Sequence, residues 1–407
     1  MEIKLHSGSL TLELNVPDET VVHGSESTER RRDILSDALQ HPLELPALHE
    51  CVVPGDRVVL VLDPATPNPV NAVVQVWEQF QSAGGLELDA TLLLPPDIHG
   101  DDWKAFLDEL PVHFRNQVAV HIYDPAIEDQ RRYLASSAAG ERVYLSHYLT
   151  DADLVVSIGV ISFDVLFGVQ GTNSAIYPTF SEAPAVLATR KAANLSQTPD
   201  DKRPLRELVD EIGWLLGTQF CVQMIPTAKS TDQSVLCGAP DAVMKVGREI
   251  LDADFRITID EEFDMAIVTL QQQTLDGWKQ FGAALASAKR LVGEDGRIAV
   301  IAELPDAFRA GLDLLRRGTE PAAVTKLLER QPTEDAIETL QVIDAIEHAR
   351  VYLLSNLDAS VVEDLGMLPL ANQVELQRLT DSAETLIVVH DANYIWSTVA
   401  QNASFAE

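Results

Sequence analysis

Apolar and polar residues alternate over MEIKLHSGSLTLELNV at the start of the chain, the two-residue period of a strand pair with SGS at its turn. An acidic, basic-tipped helical stretch follows to about residue 40, and then the pattern changes. VPGDRVVLVLD (53–63) is a continuous β-branched run of the kind that is buried on both faces of a parallel sheet. LELDATLLL (86–94), VAVHIYD (118–124) and ADLVVSIG (152–159) repeat it, and between them lie helix-patterned stretches such as VNAVVQVWEQFQSAG (70–84) and DDWKAFLDEL (101–110). Strands alternating with helices of this length predict βαβ units and a doubly wound parallel sheet. From about 178 to 250 the pattern is mostly helical, clearest in PLRELVDEIGWLLG (204–217). A second α/β register begins near 256. It runs through FRITIDEEFDMAIVTL, an amphipathic helix over about 276–292, GRIAVIAEL (296–304), ARVYLLSNL (349–357) and TLIVVHDAN (385–393). The expected organisation is therefore two α/β domains, 1–255 and 256–407, with an interdomain cleft as the default ligand site.

Composition narrows the function classes. Over 407 residues the formal charge is −33, and ERRR at 29–32 is the one basic cluster, so nucleic acid and anionic membrane surfaces are excluded as partners. Solubility at high concentration and adaptation to a salty medium both account for the acidic excess. Cys51, Cys221 and Cys237 are far apart without CxxC spacing, which predicts a reducing compartment and no zinc site. No apolar stretch reaches the roughly 18–20 residues that a membrane span needs. The expectation is a cytoplasmic protein whose partner is a small molecule, with the oligomeric state left open.

In a doubly wound sheet, ligands gather at the carboxyl ends of the strands. DPATPNP (63–69) has three prolines in seven positions and must be an extended loop, with Asp63 placed to cap a backbone amide or to hold a ligand hydroxyl. His99 in LPPDIHG (94–100) stands at a strand end, where an imidazole can act as a general base, although a lone histidine is more often structural. His121 lies inside its strand, and His147 and His390 are remote from His99 in sequence. The longest loop, GVISFDVLFGVQGTNSAIYPTF (159–180), offers Asp164, Asn173, Ser174 and Tyr177. GxSxG, GxxxxGK[ST], HExxH and GxGxxG motifs are all absent.

In order, VPGDRVVLVLDPATPNP, LLPPDIHG, HIYDP and the 159–180 loop resemble the nickel-pincer lactate racemase family of α-hydroxyacid racemases and epimerases, throughout most of residues 1–250 and more loosely beyond. The family's loop pattern G-x-I-x-P-H-x-x-A-G-x-S-G-G-x-K-x-I-x-P-G lies on 159–179 without a gap, matching Gly159, Ile161, Gly168, Gly171, Ile176 and Pro178. The resemblance puts Asp164 where the family has its catalytic histidine. Ser174 stands in place of the lysine that links to the pincer nucleotide, and Arg190 in place of a metal-ligand histidine. In the first loop Asp63, Pro67 and Pro69 match, while Ala65 and Thr66 replace a threonine and an arginine. In the second, Asp97, Ile98, His99 and Gly100 replace G-T-H-R, so His99 alone is kept. The second-half lysine falls near Ala283, beside Lys279 and Gln280.

The resemblance implies a racemase scaffold whose reactive groups have been exchanged. Racemisation by the family's route needs a base on each face of the substrate, serine cannot form the lysine's covalent link, and arginine repels Ni²⁺. Two readings follow, beside a purely structural role. In the first, the chain binds a small hydroxy-acid-like or anionic ligand without racemase chemistry, with Arg190 and Asp164 as an anion anchor or charge pair and with no metal and no covalent cofactor. In the second, it is an active epimerase that holds a nickel-pincer nucleotide non-covalently, with His99 and Asp164 as bases and Asp63, Thr66 and Ser174 near the nucleotide by position.

Overall fold

The computed structural model describes residues 1–24, 34–82, 87–96, 103–191, 194–225, 234–270 and 277–400. The chain is α/β and forms two compact units, each built on a six-stranded sheet. Residues between 34 and 251 make the first unit; residues 1–24 join 252–400 in the second.

In the first unit the strands lie in the spatial order Ser234–Gly238, Phe220–Ile225, Leu154–Val160, Arg57–Leu62, Asp89–Leu94, Val118–Ile122. All pairs are parallel except the antiparallel edge formed by 234–238. The run VVLVL is divided by its two-residue period. Val58, Leu60 and Leu62 enter one core with Val73 and Val76 of the helix Pro69–Gln81, while Val59 and Val61 enter the opposite core with Val209 and Ile212 of the helix Pro204–Leu216. Burial on both faces is why the run carries no polar alternation.

The middle of the chain departs from the helical expectation. Two strands, Phe220–Ile225 and Ser234–Gly238, interrupt it. FCVQMI is buried at all six positions, and so short an apolar run has no periodicity of its own to mark it as a strand.

The second unit's sheet runs in the order Leu368–Pro369, Arg350–Leu354, Val292–Ile301, Phe263–Thr269, Leu386–Val389, Val21–His23, with every pair parallel. Here the expected segment 1–255 is corrected at its N-terminus. The hairpin Glu2–Ser7/Leu10–Asn15 places Ile3, Leu5, Leu12 and Leu14 in one core with Met265, Ile267, Ala299 and Ile301, and Val21–His23 pairs beside Leu386–Val389. An isolated hairpin has no apolar face to cover it, and this sheet supplies one. Among the described residues no helix is long and apolar enough to cross a membrane.

In this sheet strand order reverses between Phe263–Thr269 and Leu386–Val389, and Asp391 stands just past that point with its amide 3.3 Å from Thr269 Oγ1. Burial pushes the Asp391 carboxyl up to about 6, above its unfolded value. The folded state therefore binds the proton more tightly, and stability falls as pH rises from about 4 to about 6. Asp391→Asn removes the burial penalty and keeps a residue suited to the left-handed backbone (φ 52°). Urea unfolding should show the variant more stable by about 1–3 kcal/mol at pH 7.5 and no more stable than the parent at pH 3.5.

Candidate functional site

The strand order of the first unit reverses between Arg57–Leu62 and Leu154–Val160, since the chain continues outward from these two neighbours in opposite directions. Such a reversal leaves a crevice beyond the carboxyl ends. The two loops that start there are DPATPNP and the 159–180 segment, and they are tied together. Ile158 O accepts from Asp63 N at 2.9 Å and from Thr66 Oγ1 at 3.3 Å.

Within the first loop, Asp63 Oδ1 accepts from Ala65 N at 2.8 Å, the capping geometry expected of an aspartate before such a turn. Thr66 is fully buried, and its hydroxyl donates to Asp63 O at 2.6 Å. This threonine closes the turn.

The longer loop begins with Ile161, whose amide donates to Met224 O at 2.9 Å. A small antiparallel hairpin, Ser162–Asp164 with Gly168–Gln170, follows. Asp164 Oδ1 accepts from Leu166 N at 2.7 Å and Phe167 N at 3.0 Å, so this carboxylate shapes the hairpin turn. Gly168 has φ 71°, and a Cβ there would stand 2.7 Å from Pro199 O. Gly171 has φ 127°, and a Cβ there would stand 2.7 Å from Ile161 Cγ1. No other residue type fits either place.

Ser174 Oγ accepts from Gly171 N at 2.7 Å and donates to Gly171 O at 3.1 Å in a buried turn. Ile176, Tyr177 and Phe180 then enter the core that contains Val59 and Val61.

Three polar side chains from outside the loop complete its bonding. Gln223, fully buried on Phe220–Ile225, accepts from Thr172 N at 3.0 Å and donates to Ser157 O at 3.3 Å. Arg206, in the first turn of the helix Pro204–Leu216, directs Nη1 to Gly171 O at 3.2 Å and Val169 O at 3.4 Å, and Nη2 to Thr172 Oγ1 at 3.3 Å. Asp210, one turn on, pairs with the same guanidinium, with Arg206 Nε 2.9 Å from Oδ2. Neither Arg206 nor Gln223 stood out in the sequence. The available signal was Arg206–Asp210 at i,i+4 on an amphipathic helix, a spacing shared by many surface pairs.

The other expected residues separate. Arg190 is half-buried on the helix Ala183–Lys191, with its Nε buried and unbonded. The Asp164 charge acts on the guanidinium of Arg203. His99 lies outside the described residues. His121 and His147, distant in sequence, both pack on Tyr148, with ring centroids 4.4 and 4.1 Å away; Tyr148 Oη is 3.1 Å from His121 Nδ1. Burial, aided by His147, lowers the His121 pKa. Among the described residues no three His, Cys, Asp or Glu side chains group as a metal site.

Residues 7–199 match the family model of the lactate racemase N-terminal domain. Over those residues the chain is lactate-racemase-like. In fold it is similar to the lactate racemase apoprotein from Thermoanaerobacterium thermosaccharolyticum, with a TM-score of 0.75 at 14% identity over 98% of this chain and 100% of that one. It is also similar to a Thermotoga maritima protein, with a TM-score of 0.65 at 13% identity over 86% of this chain and 96% of the other. No curated protein matches it by sequence. In this lactate-racemase-like chain the positions that agree with the family's loop pattern include Gly168, Gly171 and Ile176, each held by packing. Ser174, which the resemblance sets at the position of the family's lysine, is buried and bonded to Gly171.

Arg206→Ala removes the donors that satisfy the loop carbonyls and leaves Asp210 without its partner. Chemical denaturation should register a loss of about 1–3 kcal/mol. Hydrogen exchange should speed up first at the amides of 168–174, while strand 57–62 stays protected.

Proposed function

We propose that this chain is a non-racemising member of the lactate-racemase-like family that binds a small hydroxy-acid-like or anionic ligand at the carboxyl ends of its first sheet. The observation that carries this reading is the bonding of the exchanged residues. Asp164 Oδ1 accepts from two loop amides, Ser174 Oγ is bonded at both Gly171 N and Gly171 O, and the Thr66 hydroxyl donates to two carbonyls. Asp164, Ser174 and Thr66 thus each bond backbone groups at these strand ends. A general base must reach the proton it removes, and one oxygen of Asp164 is already bonded to the amides of Leu166 and Phe167. No covalent cofactor and no metal enter this reading.

Elemental analysis and native mass spectrometry decide the matter, on protein made alone and together with the enzymes that build the nickel-pincer nucleotide. The expected result is apoprotein mass and no nickel in both preparations, with lactate enantiomers left unchanged. Stoichiometric nickel with added nucleotide mass in the second preparation, accompanied by racemisation, would replace this reading with that of an active racemase.

A further inference from the structure

Arg203 is the residue immediately before the helix Pro204–Leu216, and it is only 5% exposed. Its Nη1 donates to Gln197 Oε1 at a long 3.4 Å, whereas Nε and Nη2 are buried without a hydrogen-bond partner. These two atoms are not an arbitrary pair. In a guanidinium the Nε–H and one Nη2–H point the same way along one edge, the edge that grips both oxygens of a carboxylate. What Arg203 leaves unbonded is one complete recognition edge.

The surroundings hold that edge in place. Arg203 Nε lies 3.4 Å from where a Gly168 Cβ would stand, so the hairpin turn approaches the guanidinium only because residue 168 has no side chain. Asp164 and Asp201 both act on the Arg203 charge, yet each carboxylate is oriented by other donors. Asp164 Oδ1 faces Leu166 N and Phe167 N, and Asp201 Oδ2 accepts from Thr198 N at 2.6 Å. Two nearby acidic groups also limit the negative charge the site tolerates, which favours a monoanion over a phosphate dianion. The positive end of a 13-residue helix begins at the same residue.

We propose that the Nε/Nη2 edge of Arg203 binds the carboxylate of a small monocarboxylic acid, against the Gly168 turn. This rests on the reading above that the chain binds a small anion, and it names both the chemical class and the anchoring residue.

The test is a titration of the full-length, metal-free protein with sodium L-lactate and sodium acetate at constant ionic strength, followed by thermal shift and by the Nε–H resonances of ¹⁵N-arginine-labelled protein. Methyl lactate, which lacks the charge, and inorganic phosphate serve as comparisons. Carboxylate should give a saturable stabilisation and move one Arg Nε–H resonance, which is missing from Arg203→Lys. Arg203→Lys, which keeps the charge and loses the edge, should weaken binding by about tenfold or more; Arg203→Gln should abolish it. If Arg203→Gln fails to fold, the lysine variant and the resonance shift suffice. A carboxylate response no larger than that to chloride, an undiminished response in Arg203→Lys, or saturation by phosphate alone would overturn the proposal. A response that appears only in Asp164→Asn would mean that Asp164 already fills the edge, and would overturn it too. Nickel-dependent racemisation in the co-expressed preparation bears on the preceding reading alone, since this titration is run on metal-free protein.

Discussion

The guanidinium of Arg206 is what the rest of the first unit's strand-end architecture depends on. A loop that leaves a buried strand and returns into the core carries carbonyls that have lost their ladder partners, and a buried carbonyl left unbonded costs about 1–3 kcal/mol. Arg206 meets Val169 O, Gly171 O and Thr172 Oγ1 from one side chain, and Asp210 fixes the orientation of that side chain while balancing its charge. Gln223 does the complementary work for the amide of Thr172. With these bonds made, Ile176 and Phe180 can enter the core.

Much of the fold was legible because the strongest signals are local. VVLVL and LVVSIG are long enough and β-branched enough to be strands in any context, and the helix Pro69–Gln81 opens with proline, where a missing amide costs nothing. What escaped the sequence was long-range. Nothing in MEIKLHSGSLTLELNV says that Leu5 and Leu14 pack with Met265 and Ile301 across some 250 residues of chain. FCVQMI became a strand because Leu154–Val160 offered it an open edge, a fact of tertiary pairing and not of its own pattern.

The candidate site was legible in a different proportion. Asp63 caps its turn as its place before DPATPNP suggested, and the loop lies at the reversal of strand order where an α/β sheet gathers ligands. Position alone, however, assigned Thr66 and Ser174 to a nucleotide, and their hydroxyls turn out to bond their own loops. Arg203 and Arg206 went unnoticed because they lie at the start of a helix more than 20 residues beyond the loop, and only the folded chain brings them to Gly168 and Gly171.

Family resemblance and chemistry therefore separate along a physical line. Gly168 and Gly171 persist in the pattern because a Cβ would strike Pro199 O or Ile161, constraints that hold whatever the loop does. The polar positions face no such constraint and are free to change, provided the replacements satisfy nearby amides and carbonyls, as Asp164 and Ser174 do. Three residues apart on the helix side, two arginines then divide the remaining tasks. Arg206 has a counter-charge and a full set of acceptors, and is structural. Arg203 lies near the charges of Asp164 and Asp201 and keeps one edge unbonded, the edge proposed above to take a carboxylate.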